Sequence, residues 1–170
     1  MTAGNVFSPD HIDQGTGILL KHIQEIAPNS TLLDIGCGWG PIALALAIAS
    51  PSSTIYAVDV NQRSLELTRT NAEKLGLKNI ITKTPTELSA EISFDGIWSN
   101  PPIRVGKAIL HEIMQTWLPR LKTQAEALLV VQKNLGADSL QKWLEAEFKD
   151  MSTERIETSK GFRIISVVKN

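Results

Sequence analysis

The sequence contains a single cysteine, Cys37, so it cannot form an intramolecular disulfide. A chain with one thiol suits a reducing compartment, and we therefore expect a cytoplasmic protein. Long hydrophobic runs are also missing, because the longest, residues 42–49, is far too short to span a bilayer. The first residues lack a basic stretch followed by an apolar one, so we expect neither a signal peptide nor a membrane partner.

The chain also lacks an excess of charge of one sign. Its 17 Lys and Arg residues nearly balance its 18 Asp and Glu residues, which leaves a formal net charge of -1. Such a protein has no global field that draws it onto naked nucleic acid or an anionic membrane, although a local basic patch stays compatible with it. The three histidines, His11, His22 and His111, have no metal-ligand spacing, and we expect no metal site.

Short apolar runs alternate with helical patterns along the chain. Regular β-α-β alternation predicts an α/β, Rossmann-like, doubly wound fold with a mostly parallel seven-stranded sheet and a C-terminal antiparallel hairpin. The absence of repeats and linkers predicts one domain over residues 1–170. The predicted strands are 31–35, 54–58, 79–83, 94–99, 127–131, 154–157 and 162–168, and the predicted helices are 42–49, 61–74, 105–121 and 138–148.

A glycine cluster, Asp34-Ile35-Gly36-Cys37-Gly38-Trp39-Gly40-Pro41, separates the first strand from its helix. Glycines there let the backbone approach a ligand closely. A dinucleotide fingerprint would need a small residue where Pro41 stands, so a nicotinamide cofactor is disfavoured but stays open. The second strand ends at Asp59, whose carboxylate can accept hydrogen bonds from both hydroxyls of a ribose. Each feature alone could serve only a turn or a helix cap, whereas together they favour a nucleoside-type cofactor.

The fourth strand ends in the segment Ser99-Asn100-Pro101-Pro102-Ile103-Arg104-Val105-Gly106-Lys107. Two prolines cannot continue a sheet, and they hold their neighbourhood rigid. The Asn100 side-chain oxygen and the Pro101 carbonyl can accept both hydrogens of an amino group, which orients the nitrogen lone pair. The alternative is a turn that only ends the strand. We favour the first interpretation because the segment falls at the same sheet edge as the glycine cluster. We call Asn100-Pro101-Pro102 the amine clamp.

These segments resemble motifs I, II and IV of class I S-adenosylmethionine (SAM) methyltransferases that act on amino groups. More narrowly they resemble the small-domain family, which includes guanine-N2 methyltransferases of 16S ribosomal RNA and their archaeal relatives. Val6-Phe7-Ser8 and Asp13-Gln14-Gly15-Thr16-Gly17 are similar to the family's segment before motif I, here residues 1–17, which folds over the cofactor. Lys160-Gly161-Phe162-Arg163 is similar to its C-terminal hairpin.

The resemblance implies SAM as cofactor and a role for individual residues. Asn100 and Pro101 are the implied catalytic residues, Asp34 orients the loop and the ammonium of the methionine moiety, and Cys37 only fills a turn. The implied substrate contacts are Pro102, Ile103, Arg104, Lys107, Phe7 and Phe162. The implied cofactor contacts are Asp34, Gly36, Gly38, Gly40, Asp59, Val60, Asn61, Gly15, Thr16, Thr86 and Asn100.

Two departures from the family pattern leave alternatives open. Many amino methyltransferases have an aromatic residue where this chain has Ile103. Phe7 or Phe162 could stack on a flipped base instead, and either could equally belong to the core. Thr86 and Glu87 follow the third strand where relatives carry an acid near the adenine, so that contact stays open.

The preferred prediction is a monomeric enzyme that methylates guanine N2 in ribosomal RNA or the small ribosomal subunit. Its enzymatic alternative acts on a protein glutamine side chain or on adenine N6. A further alternative is a non-catalytic SAM-binding module in ribosome assembly. The intact clamp argues against that module. The sequence also predicts that Asn100→Asp reduces turnover less than Asn100→Ala, since a carboxylate still accepts hydrogen bonds.

Overall fold

The computed structural model describes residues 12–23, 26–102 and 105–170. Phe7, Ile103, Arg104 and the predicted cofactor-covering segment before Ile12 lie outside the described residues. The strands are β1 (Thr31–Ile35), β2 (Thr54–Val58), β3 (Ile80–Lys83), β4 (Phe94–Ser99), β5 (Leu121–Gln132), β6 (Met151–Ser159) and β7 (Phe162–Lys169). The helices of the described part are α1 (Gln14–Leu19), α2 (Pro41–Ala49), α3 (Gln62–Lys74), α4 (Lys107–Trp117) and α5 (Ala137–Glu147).

The seven strands form one sheet in the order β3-β2-β1-β4-β5-β7-β6. Strands β1 to β5 are parallel to one another, whereas β7 pairs antiparallel with both β5 and β6. This confirms the predicted fold class and the C-terminal hairpin. The strand order reverses between β1 and β4, and ligands of such sheets bind at the carboxyl ends of the strands beside this reversal. The glycine cluster follows β1 and the clamp follows β4, so both lie beside this reversal. We call the space between them the crevice.

Apolar side chains cover both faces of the sheet. Successive residues of β1 face opposite sides, and Leu32 packs with α1, α2 and α3 while Leu33 packs with α4 and α5. Phe94, Met114 and Leu129 are fully buried in the second layer. Burial on both faces explains why the central strands are nearly continuous apolar runs. The core therefore holds the carboxyl ends of β1 and β4 side by side.

Three elements differ from their predictions by three residues or more at one end. Helix α4 ends at Trp117 instead of continuing to residue 121, because Pro119 leads into a 3-10 turn, Leu118–Arg120. Strand β5 begins at Leu121, where its pairing with β4 is interrupted by a bulge. Strand β6 is longer than predicted, since its mostly exposed and polar side chains on the sheet edge hide the alternation.

Helix α1 was not predicted as a helix. It has six residues, too few for a helical periodicity to show in the sequence. Asp13 caps it by accepting hydrogen bonds from the backbone N–H groups of Gly15 and Thr16 at 2.9 and 3.2 Å. The cap fixes where this short helix begins, and it places Asp13 at the crevice described below.

Within the three described ranges, none of the helices combines the length and apolar character needed to cross a bilayer. The same part of the chain contains no group of three His, Cys, Asp or Glu side chains that could hold a metal ion.

Candidate functional site

The glycine loop between β1 and α2 is tied to the neighbouring strand through its backbone. The N–H groups of Gly36 and Cys37 both donate to the Val58 carbonyl, at 2.8 and 3.0 Å. Gly40 has a φ of 97°, and a Cβ there would lie 2.9 Å from the Thr68 side chain. A residue other than glycine would be strained in its backbone and would collide with α3. The loop therefore holds a conformation that its glycines make possible.

Helix α3 supports this loop from behind. The Thr68 hydroxyl donates to the Gly38 carbonyl at 3.1 Å, and the Asn71 amide donates to the Trp39 carbonyl at 3.0 Å. Both side chains are buried. These two residues were not predicted from the sequence, although polar residues three positions apart on the buried face of a helix were a usable signal.

Asp59, at the carboxyl end of β2, joins two backbone segments. Its two carboxylate oxygens accept from the N–H of Gly38 at 3.0 Å and from the N–H of Asn61 at 2.8 Å. Asn61 caps α3 by accepting from the Arg63 N–H at 3.0 Å, and Asp59 in turn accepts from the N–H of this cap residue, so Asp59 also helps to fix the start of α3. Each oxygen of a carboxylate has capacity for a further hydrogen bond. Next to it Val60 is 83% exposed, so this side of the crevice is open.

Asp34 is completely buried at the end of β1. One carboxyl oxygen accepts from the Ala43 N–H at 2.9 Å, which orients the start of α2. The other oxygen has no hydrogen-bond partner among the described residues. Burial, with a smaller contribution from the nearby Asp59 charge, raises the pKa of Asp34 to about 8. Asp34 is thus a buried carboxyl group with one oxygen that no described residue engages.

Cys37 lies in the same loop but is not exposed for chemistry. It is buried, and its sulfur lies 3.6 Å from the Thr68 hydroxyl. Burial, together with the Asp34 and Asp59 charges, raises the pKa of the thiol well above its ordinary value. A thiol that keeps its proton is a poor nucleophile. The geometry agrees with the turn-filling role that the sequence suggested.

In the loop after β3 the exposed acid, Glu87, bonds back to its own loop. The Glu87 carboxylate accepts from the backbone N–H and the hydroxyl of Thr84, both at 2.8 Å, and these bonds lower the pKa of Glu87. The Thr84 hydroxyl also lies 3.2 Å from that of Thr86, which is exposed. Thr86 is therefore accessible at the open side of the crevice, whereas Glu87 is engaged by its own loop.

Asn100, directly after β4, is held by the first turn of α1. Its side-chain amide donates to both carboxylate oxygens of Asp13 at 3.1 Å and lies 3.0 Å from the Thr16 hydroxyl oxygen. The side-chain oxygen of Asn100 has no donor among the described residues. The amide nitrogen is thus engaged by the protein, and the oxygen is left to accept from a ligand.

The clamp and the glycine loop are in contact. A Cβ placed at Gly36 would lie 3.8 Å from Cδ of Pro102. Pro101 is buried and Pro102 is exposed. The two motifs therefore form one crevice.

Phe162, at the start of β7, is half-buried and packs against the core layer that contains α1 and α2. A Cβ at Gly15 would lie 2.8 Å from the Phe162 ring, so the ring packs directly on the first turn of α1. Gly15 and Thr16 are themselves buried, and Thr16 contacts Asn100. Phe162 is thus connected to Asn100 through the first turn of α1, and it also takes part in the packing of the core.

Three exposed lysines lie at the edge of the sheet where β4 and β5 end and β7 begins. Lys107 is the first residue of α4 and forms none of the ion pairs found among the described residues. The Lys133 N–H donates to the Gly161 carbonyl at 2.8 Å, which joins the end of β5 to the β6–β7 hairpin turn containing Lys160. Lys107, Lys133 and Lys160 are all exposed. We call these three residues the basic rim.

Comparisons with known proteins show what the chain is similar to. The family model "Methyltransferase small domain" matches residues 1–166. YbxB of Bacillus subtilis, an uncharacterized protein, is 36% identical over 167 residues, which cover 96% of this chain and 82% of that protein. Ribosomal RNA small subunit methyltransferase C of Shewanella sp. is 34% identical over 113 residues, which cover 66% of this chain and 32% of the relative. The match therefore spans about a third of the length of that enzyme.

A longer protein of solved structure contains the same fold. The T. thermophilus 16S rRNA N2 methyltransferase (RsmC), in complex with AdoMet and guanosine, superposes with a TM-score of 0.83 at 23% identity. The superposition covers 99% of this chain and 46% of that structure.

Proposed function

The protein belongs to the methyltransferase small-domain family, and we propose that it transfers a methyl group from SAM to N2 of a guanine in 16S ribosomal RNA. The observation that carries this proposal is the orientation of Asn100. Its amide nitrogen is engaged by Asp13 and Thr16, and its oxygen accepts no hydrogen bond from any described residue. An amino group needs this arrangement of an acceptor next to a methyl donor.

The crevice fits SAM, which supplies an electrophilic methyl group when it is bound. Gly36, Gly38 and Gly40 would line the methionine part, and the free capacity of the Asp59 carboxylate would hold the ribose hydroxyls. The unpaired oxygen of buried Asp34 would meet the ammonium group. The open side would take the adenine, and the further contacts we propose are Val60, Asn61, Thr86, Gly15 and Thr16.

The acceptor side needs no general base with a perturbed pKa. The Asn100 oxygen and the Pro101 carbonyl would accept the two hydrogens of the amine, so that its lone pair points at the glycine loop. Pro101 and Pro102 fix the backbone, so these acceptors are preorganised before the amine binds. We propose that Phe162 stacks on the base and that Lys107 meets a phosphate. Phe7, Ile103 and Arg104 are proposed contacts outside the described residues.

Ribosomal RNA is the favoured acceptor because the chain is similar to proteins named as small-subunit ribosomal RNA methyltransferases. The Shewanella enzyme is named for the small-subunit ribosomal RNA, and the T. thermophilus structure holds guanosine. The basic rim adds a local positive surface to a chain whose net charge is only -1. A folded ribosomal subunit, which presents one shaped site, suits such a protein better than naked RNA does.

We further propose a cytoplasmic monomer in which residues 1–170 form one domain and residues 1–17 fold over the cofactor. Its single cysteine, Cys37, suits the reducing cytoplasm. Sedimentation of the purified chain and its SAM complex tests the oligomeric state.

The test of function is transfer of labelled methyl from SAM to small ribosomal subunits purified from a strain that lacks the protein. Digestion to nucleosides should place the label in N2-methylguanosine of 16S RNA. Subunits from the parent strain, which are already methylated, should accept little label. Label in N6-methyladenosine or in a protein glutamine would establish one of the enzymatic alternatives. SAM binding without transfer to any of these would favour the non-catalytic module.

A further inference from the structure

We propose that Asp13 is a positioning residue for methyl transfer: it selects the one orientation of the Asn100 amide that presents oxygen to the acceptor amine. This inference rests on the proposed function and adds to the site a residue that the motifs did not include. The two residues are 87 positions apart in the chain, and α1 brings them together.

Asp13 is well fixed for this task. Its carboxylate accepts from the N–H groups of Gly15 and Thr16 as the cap of α1, and also from the Thr16 hydroxyl. Because the Thr16 hydroxyl gives its proton to Asp13, its oxygen is free to accept from the Asn100 amide. The first turn of α1 therefore presents only acceptor atoms to Asn100.

The side-chain amide of asparagine ends in an oxygen and an NH2 group, which are similar in size but opposite in hydrogen-bonding character. Rotation of the Asn100 amide by half a turn would place its oxygen against the Asp13 carboxylate and its NH2 group toward the acceptor amine. Both contacts would then be repulsive, one between acceptors and one between donors. The carboxylate of Asp13 excludes this orientation, so the oxygen stays in the crevice.

The same geometry reverses an expectation from the sequence. Asn100→Asp looked mild because a carboxylate still accepts hydrogen bonds. Beside Asp13, however, it would place two carboxylates at hydrogen-bond distance, where they cannot both keep their charge without a large penalty. The single substitution is therefore expected to impair the clamp.

The decisive experiment exchanges the two side chains. Asp13→Asn keeps a capping residue of similar quality, because asparagine and aspartate are comparable at this position. Its NH2 group would now face the Asn100 amide and favour the rotated orientation. We expect kcat on ribosomal subunits to fall about a hundredfold in Asp13→Asn and in Asn100→Asp, in the range found when a preorganised hydrogen-bonding group is lost.

The double variant Asp13→Asn with Asn100→Asp should recover at least about tenfold of that loss, because the new amide donates to the new carboxylate and leaves the other oxygen for the amine. A merely structural role for Asp13 predicts instead that the two losses add. Melting temperature and SAM affinity serve as controls and should stay near wild type in Asp13→Asn. A wild-type kcat in Asp13→Asn, or a double variant no better than the worse single variant, would overturn the proposal.

A second readout separates this proposal from the proposed function. The side-chain amide protons of Asn100, followed by NMR in the protein without substrate, should exchange slowly with water in the wild type and quickly in Asp13→Asn. If wild type methylates nothing but this difference is present, the positioning contact stands and the proposed function fails. Equal exchange in both proteins would refute the contact whatever the activity.

Discussion

Gly36 and Pro102 are neighbours at the point where the strand order reverses: a Cβ placed on Gly36 would lie 3.8 Å from Cδ of Pro102. This contact joins the proposed methyl-donor loop after β1 to the proposed acceptor clamp after β4. Since 3.8 Å is an ordinary van der Waals distance, an added methyl group would fit the protein but would occupy the surface between the two ligands.

Gly36→Ala should therefore weaken SAM binding more than it destabilises the fold. The φ of 72° costs an alanine roughly 1 kcal/mol of folding free energy. Gly76→Ala is the matched control, since Gly76 has a φ of 69° and nothing within 4 Å of its added Cβ. Thermal unfolding should show similar losses for the two variants, and calorimetry should show reduced SAM affinity only for Gly36→Ala. Equal affinities would place the cofactor elsewhere.

Asn100→Ala should separate cofactor binding from methyl transfer. It removes one of the two proposed acceptors for the amine but leaves Pro101, Pro102 and the capping bonds of Asp13 in place. We expect turnover on ribosomal subunits to fall about a hundredfold to a thousandfold, with SAM affinity changed much less. Asn134→Ala, in the exposed turn after β5, is the control and should retain wild-type turnover. Wild-type turnover in Asn100→Ala would reduce the Asn-Pro-Pro segment to a strand terminator.

The pKa of Asp34, raised to about 8 by burial, predicts how stability changes with pH. Between about pH 4 and 8 the native protein keeps a proton on Asp34 that the unfolded chain, with an ordinary aspartate pKa, has already released. The native state thus binds more protons, and its free energy of unfolding falls as pH rises through this window, by about 1.4 kcal/mol per unit. Above pH 8 this loss is complete and constant.

Asp34→Asn isolates this effect because an amide does not titrate and its oxygen can still accept from the Ala43 N–H. The melting temperature of the variant, compared with wild type, should rise from pH 5 to pH 8. Saturating SAM should flatten the wild-type slope, because a cation beside Asp34 favours its charged form. A difference between the two proteins that is independent of pH would show that Asp34 is ionised throughout.

The sequence predicts the fold well because each strand and most helices are local patterns. The runs 31–35 and 94–99 coincide with β1 and β4, and the glycine and proline motifs follow them directly. The predicted end of α4 was wrong although Pro119 signals it in the sequence, whereas the predicted start of β5 was wrong because it depends on a bulged pairing with β4. Element boundaries of this kind depend on pairing, which a single sequence does not contain.

The residues of the candidate site also fall into two groups, those that the sequence singles out and those that only the fold reveals. Asp34, Asp59 and Asn100 belong to motifs whose residues are adjacent in the chain, so the sequence alone is enough to single them out. Asp13, Thr68 and Asn71 act through bonds to distant segments: Asp13 to the clamp, and the two α3 residues to the glycine loop. Their types are ordinary for a helix cap and for a polar position on a helix. Only the fold shows what they contact.

The basic rim gives the last prediction, which concerns the acceptor. If Lys107 contacts a phosphate, Lys107→Ala should weaken binding to the ribosomal subunit and reduce the dependence of log K on log salt by about one unit, because one fewer counterion is released. Lys133→Ala and Lys160→Ala should behave alike, since the Lys133–Gly161 hydrogen bond holds these two lysines on one surface.

Lys74→Ala is the matched control, because Lys74 is also exposed but ends α3, away from the carboxyl ends of β4 and β5. Binding should be measured by filter retention at several salt concentrations, with SAM affinity followed by calorimetry in each variant. SAM affinity should stay at the wild-type value, since SAM carries no phosphate to meet these lysines. If all three rim variants keep the salt dependence of Lys74→Ala, the rim is only a solvated surface and the RNA reaches the clamp from another side.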